Sequence, residues 1–294
     1  MVLELERKNS IYLTDSEIIQ KFLEDSESLI GDYILRFNFK GNNNTVVISS
    51  DVNILPNCHI SFAGNNNAIY IGPHTQLTAT RISFEATNSL AYICGNSNSI
   101  FPQIRLGSDL IFFWGYGCSC SNGFGEQSAC HLREAKNVIF GSDCMISWNV
   151  LVRNAVGHSI YDANGKERIA RGDSIIIGDH VWINMDARVL NGARIQQGSV
   201  IGSGSFVSKK QIPCNCIAAG VPVKVIRENI VWSRKGPFNA TEAEISLFDT
   251  LSDYSNDAGQ TQIGWNNLLM IDAIDPSLSS KDKIFSIMEI IKNI

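Results

Sequence analysis

The stretch from Ile177 to Val207, IGDHVWINMDARVLNGARIQQGSVIGSGSFV, decides the fold. An aliphatic residue returns at every sixth position: Ile177, Ile183, Val189, Ile195, Ile201 and Val207. Four places after each of the first five stands a small or β-branched residue: Val181, Ala187, Ala193, Ser199 and Ser205. Neither an α-helix nor an ordinary strand has a six-residue period. A parallel β-helix does, with six residues making one flat face and a corner. The aliphatic residue points into the prism, and the small one fits the tight corner. The expectation is a mainly β chain, a hexapeptide solenoid.

Working outward, the same beat is visible at Ile48, Ile54, Ile60, Ile71 and Leu77, blurs between about Arg81 and Asn137, and returns at Phe140, Ile146 and Val152. Gly41-Asn42-Asn43-Asn44-Thr45-Val46-Val47-Ile48 recurs as Gly64-Asn65-Asn66-Asn67-Ala68-Ile69-Tyr70-Ile71, and weakly at Gly95-Asn96-Ser97-Asn98-Ser99-Ile100. Asparagine tolerates the left-handed turn conformation, and its amide can bond to an asparagine stacked in the next coil. Residues 154–174 abandon the period and read as a polar loop ejected from the solenoid, a place where function concentrates. Thr14 with Glu17 marks a helix start, and Ile284, Ile287, Met288 and Ile291 have helical spacing. The expected organisation is an α-containing cap over 1–44, a solenoid over 45–227 and a helical extension over 228–294. The two flanks are expected to cap the open ends of the prism.

Composition narrows the classes further. The net charge of −5 gives no electrostatic case for nucleic acid. No apolar run is long enough to span a bilayer, and residues 1–10 lack the apolar core of a secretory signal, so a cytoplasmic location is expected. The eight cysteines include two C-x-C pairs, Cys118/Cys120 and Cys214/Cys216, and no C-x-x-C. They read as free thiols in a reducing compartment, with no metal site.

Three places could carry chemistry. His158 stands in Gly157-His158-Ser159-Ile160 at the root of the ejected loop, followed by Asp162. It reads as a general base or as an ordinary surface histidine. Trp182 neighbours the inward Ile183, so its indole should face outward, as a stacking platform or an intersubunit contact. His180 reads as a solvated corner residue. The solenoid tail combines small residues with the cations Lys209, Lys224 and Arg227, which suits a long, phosphorylated, amide-bearing ligand.

At these residues the chain resembles the hexapeptide-repeat, left-handed β-helix acyltransferases that use acetyl-CoA. The likeness runs from about Val138 to Trp232. It is carried by Ile176-Ile177-Gly178-Asp179-His180-Val181-Trp182-Ile183, by Ser199-Val200-Ile201-Gly202-Ser203-Gly204-Ser205 and by Ala218-Ala219-Gly220-Val221-Pro222. In the galactoside acetyltransferase-like and capsule or O-antigen O-acetyltransferase branches a Gly-His precedes this tryptophan by 24 residues, as His158 precedes Trp182 here. The resemblance implies that His158 is the catalytic base. It implies that Trp182, Ser203, Ser208, Lys209, Ala219, Lys224 and Arg227 line the acetyl-CoA site. It implies a homotrimer with active sites between subunits, no metal and no covalent intermediate. Gly141 to Val150 looks like the branch acting on surface glycans, which makes Trp148 and Asn149 candidates for holding a saccharide; Trp148 fits an interface equally. The expected reaction is O-acetylation of a bacterial surface glycan. The alternative is a small acceptor such as an amino sugar, galactoside, serine or antibiotic.

Overall fold

The computed structural model describes residues 2–4, 10–13, 37–49, 51–55, 57–97, 99–121, 128–235, 241–242, 262–292 and 294. Each coil passes through three short strands. In one coil these are Thr45–Ile48, Asn53–Ile54 and His59–Phe62, and Ala68–Ile71 opens the next. Stacking of equivalent strands makes three faces, here called first, second and third in the order the chain visits them. The first face holds ten strands and the third eight. The second holds a separate pair and then six strands from Ser119–Cys120 to Lys224–Glu228. Pairing is parallel except at the two ends, where Val2–Glu4 runs against Ser10–Leu13 and Lys224–Glu228 runs back against Cys216–Ala219.

The six-residue period becomes three internal columns. Ile146, Ile183, Ile201 and Ala218 stack on the second face. Val152, Val189 and Val207 stack on the third, and Phe140, Ile177, Ile195 and Ile212 on the first. All are fully buried, as are Val181, Ala187, Ala193, Ser199 and Ser205 at the corners. Before Phe140 the coils are wider than eighteen residues, which interrupts the six-residue beat and blurs it between Arg81 and Asn137. Thr45 pairs with Ala68, Ala68 with Leu90 and Leu90 with Ile111, which is 23, 22 and 21 residues apart. Ile177 and Ile195 are 18 apart. The extra length goes into four-residue strands and asparagine corners. Asn43, Asn66 and Asn88 sit at φ of 53°, 57° and 60°, and Asn43 Nδ2 donates to Asn66 Oδ1 at 2.8 Å. Inside the same corner Asn67 is fully buried. Its amide donates to Asn44 Oδ1 at 3.1 Å and Ala86 O at 2.9 Å, and its oxygen accepts from Ser89 N at 3.0 Å.

Two expectations about the flanks change. The solenoid does not begin at residue 45, because Ser10–Leu13 already pairs with Thr45–Ile48 on the first face and Phe37–Phe39 with Ile60–Phe62 on the third. The helix start at Thr14 lies outside the described residues. The C-terminal helices, α1 (Trp265–Asp272) and α2 (Ser280–Ile291), do not cap an end. They lie along the side of the prism, where Ile263, Leu268, Ile271, Ile284 and Ile287 join Leu90, Tyr92, Ile111, Phe113, Ile139 and Ile176 in a second apolar layer outside the first face. The reason is visible in the strands. Leu90–Ile93 and Ile111–Trp114 are buried at every position, so this face has two apolar sides and needs a cover. Buried Lys283 on α2 donates to Asn88 O at 2.7 Å, and its burial pushes the amine down to about 8. Among the described residues no helix is long and apolar enough to cross a membrane.

The asparagine corner yields a stability prediction. Asn67→Ala strands the buried Ser89 amide and the half-buried Ala86 carbonyl, and should cost about 3 kcal/mol. In urea unfolding the midpoint should fall with the slope unchanged.

Candidate active site

The corner where the third face turns back to the first releases the loop. Strand Leu151–Arg153 ends at Asn154, whose buried side chain accepts from Arg133 N at 2.7 Å and donates to Arg133 O at 3.1 Å. Nineteen residues later the chain returns, with Asp173 N donating to Asn154 O at 3.0 Å. The loop is therefore clasped at its base. Beyond the clasp it forms a hairpin: Tyr161 bridges Arg168, Asp162 N donates to Glu167 O at 2.8 Å, and Ile169 N to Ile160 O at 2.9 Å. Glu134, on the coil before, fastens the return leg by pairing with Arg168 and accepting from Gly172 N at 2.9 Å. Burial alone would raise the Glu134 carboxyl, but the Gly172 amide and Arg168 outweigh it and hold the group below the ordinary glutamate range.

His158 is exposed at the root of this hairpin, its ring free of hydrogen-bond partners among the described residues. A Cβ at Gly157 would come within 2.8 Å of Arg153 Nη2, so the glycine lets that guanidinium lie directly under the turn that presents His158. Asp162 does not orient the imidazole. Its carboxylate receives the amides of Asn164 at 2.9 Å and Gly165 at 2.6 Å and closes the hairpin tip. Ser208 and Lys209 lie on the same corner further along. There Ser208 Oγ donates to Asn191 Oδ1 at 3.3 Å, and Asn191 Nδ2 in turn holds the loop at Arg171 O at 3.1 Å.

The remaining candidates stand across the third face, on the second face and its far corner. Trp182 pairs with Met145 and Val200, half-buried, its Nε1 donating to Ser147 Oγ at 3.4 Å. Ser203 is exposed on the adjoining corner, and Ala219 ends the strand on which Lys224 and Arg227 fold back as exposed cations. Trp148 is 49% exposed on this corner with its ring available. Asn149 is committed, its amide donating to Asp186 Oδ1 at 2.7 Å and its carbonyl accepting from Arg188 at 2.6 Å. The candidates thus fall into two groups. His158, Ser208 and Lys209 occupy one edge of the third face, and Trp148, Trp182, Ser203, Ala219, Lys224 and Arg227 lie at or beyond its other edge.

Two further residues enter that the sequence reading left without a role or misread. His180 is not solvated: its ring stacks on Trp232 at 3.9 Å and 8°, with Nδ1 2.6 Å from Asp143 Oδ2 and Nε2 3.0 Å from Trp232 O. Trp232 returns a bond from Nε1 to His180 O at 3.0 Å and lies 5.7 Å from the Trp182 ring. The eight cysteines are free thiols, and all but Cys214 are buried. Burial holds the Cys144 thiol well above its ordinary range, which removes it as a nucleophile. Among the described residues no group of three His, Cys, Asp or Glu could share a metal ion.

A three-faced hexapeptide solenoid that ejects one histidine-bearing hairpin defines a transferase of the bacterial hexapeptide type. Residues 174–209 match the profile of the bacterial transferase hexapeptide (six repeats) family. The chain is 31% identical over 199 residues to a polysialic acid O-acetyltransferase of Neisseria meningitidis, which spans 68% of this chain and 90% of that protein. It is 40% identical over 91 residues to the galactoside O-acetyltransferase of Escherichia coli K12, across 31% of this chain and 44% of the relative. The crystal structure of the polySia-specific acetyltransferase NeuO superposes with a TM-score of 0.62 at 28% identity, covering 73% of this chain and 98% of that one. The chain belongs to the hexapeptide-repeat O-acetyltransferases, and it is an acyltransferase.

The Glu134 clasp sets a pH dependence. A carboxyl held below its unfolded value stabilises the loop fully above the ordinary glutamate range and loses that contribution as pH falls through the depressed value. Limited proteolysis of the 154–174 hairpin should therefore accelerate in acid. Glu134→Gln should bring the faster cleavage to neutral pH without unfolding the solenoid.

Proposed function

We propose that the protein moves an acetyl group from acetyl-CoA to a hydroxyl of a bacterial surface glycan by direct transfer, with His158 as general base. The observation that carries this reading is the exposed imidazole at the root of a clasped hairpin, on the solenoid edge that also presents Ser208 and Lys209. A sugar hydroxyl does not ionise at neutral pH, so its oxygen can attack only as a neutral imidazole removes the proton. The oxygen bonds to the thioester carbon, and the resulting oxyanion is met by a backbone amide of the solenoid. The C–S bond then breaks, the imidazolium protonates the CoA thiolate, and acetyl ester and CoA leave. Lys209, Lys224 and Arg227 supply cations for the phosphates of the donor.

The two groups act as half-sites of one shared site. His158 on one edge of the third face and Trp182 beyond the other edge belong to one chemistry if a second copy sets its edge alongside. We therefore read the enzyme as a homotrimer with sites between subunits. Apolar groups exposed on both edges favour such contacts: Ile160, Tyr161 and Ile169 on the hairpin, and Trp148, Met185, Phe206 and Val221 near the other corner. The relative named for polysialic acid favours a polymeric glycan as acceptor, with Trp148 as a stacking surface; the free thiols favour a reducing cytoplasm as the place of action. The galactoside-named relative supports the second reading, a small sugar acceptor.

His158→Ala should lower kcat by roughly 10²–10⁴-fold, leaving the KM for acetyl-CoA close to wild type. The measurement is thiol release on mixing acetyl-CoA with candidate glycans. Full activity in the variant contradicts the base assignment, and turnover with small sugars alone selects the second reading.

A further inference from the structure

The segment after the solenoid is fixed to the corner between the first and second faces by an unusual set of contacts. Asp143 and His180 occupy this corner on consecutive coils, as shown by His180 N donating to Ser142 O at 2.7 Å. Arg234 pairs with Asp143 Oδ1 and donates to Ser119 Oγ at 2.9 Å, Cys144 O at 2.8 Å and Gly117 O at 3.3 Å. Asp143 thereby faces Arg234 on one oxygen and His180 on the other. Both nitrogens of His180 face oxygen acceptors, the Asp143 carboxylate and the Trp232 carbonyl. A neutral imidazole has one N–H and can satisfy one of them; only the imidazolium donates to both. The ring lies flat on the Trp232 indole. The other nearby carboxylate, Asp179, is occupied by the amides of Ser142, Ile263 and Gly264.

Trp232 passes this constraint on to Trp182. The three rings run His180, Trp232, Trp182, with centroid separations of 3.9 and 5.7 Å. The polar contact of Trp182 is the long one to Ser147, and Trp232 is its ring neighbour. We propose that Trp232 and His180 are positioning residues for the acyl-donor half-site: they hold the Trp182 indole, and through it set the affinity for CoA. The inference rests on the donor reading of Trp182 given above.

The test is calorimetric binding of CoA to wild type, Trp232→Ala, Trp232→Phe and His180→Asn. Binding alone is read, so the His158 proton transfer does not enter. Asparagine suits the left-handed φ of 54° at position 180. Trp232→Ala should bind roughly tenfold more weakly, with Trp232→Phe between it and wild type. His180→Asn, which takes the stacked ring from Trp232, should also bind more weakly than wild type. If Trp232→Ala fails to fold, the His180→Asn and Trp232→Phe titrations decide. CoA affinity equal in wild type and folded variants overturns the positioning role alone. A wild type that binds no CoA overturns the donor-site reading and this inference with it.

Discussion

Coil-on-coil stacking is the constraint on which everything else depends. In a parallel solenoid the backbone amide of one coil has its acceptor in the next, and the internal columns of Ile, Val and Phe keep equivalent residues in register. A chain so constrained has few ways to move a side chain without moving its whole column. It gains a rigid edge against which a loop can be clasped. The 154–174 hairpin uses this rigidity twice: Asn154 is buried in the corner and ties two coils together, and Glu134 reaches from the preceding coil to hold the return leg. His158 is exposed, on a loop held at its base and along its return leg.

The same constraint explains where the C-terminal residues go. Strands that are apolar on both sides leave the first face with an outer surface water cannot cover, and α1 and α2 lie on it. To reach that face the chain must cross the corner carrying Asp143, Asp179 and His180, and all three become its fasteners. The described C-terminal helices thus form an outer layer of the solenoid, and Trp232 stands beside the Trp182 indole.

Much of the fold was legible because one period appears in both sequence and packing. Ile177 to Val207 reads directly as three internal columns, and the Gly157-His158 to Trp182 spacing picks out the two residues on which the proposed chemistry rests. What escaped was information carried by partners remote in sequence. Ser10–Leu13 pairs with a strand 35 positions on, too far for a six-residue beat to show, so the start of the solenoid was placed too late. His180 has the surroundings of a turn residue in sequence, and only the return of Trp232, 52 positions on, shows that both ring nitrogens are engaged. Asp162 escaped for a local reason: the Asn164 and Gly165 amides, two and three positions on, take its carboxylate. The division of the candidates between two corners was invisible too, since successive coils bring distant residues onto one face and carry near ones to different corners.

The central claim is that acetyl transfer needs the His158 edge of one subunit and the Trp182 face of another. The most direct measurement is the acetyl-CoA-dependent activity of co-refolded mixtures of two impaired variants, His158→Ala and Trp182→Ala. In a mixed assembly, a His158→Ala subunit still offers an intact donor face to the intact histidine of its neighbour. The account predicts that the mixture recovers activity well above either variant alone. A mixture that forms hybrid oligomers and stays as inactive as its parents would contradict it, and would place both halves of the site in a single chain.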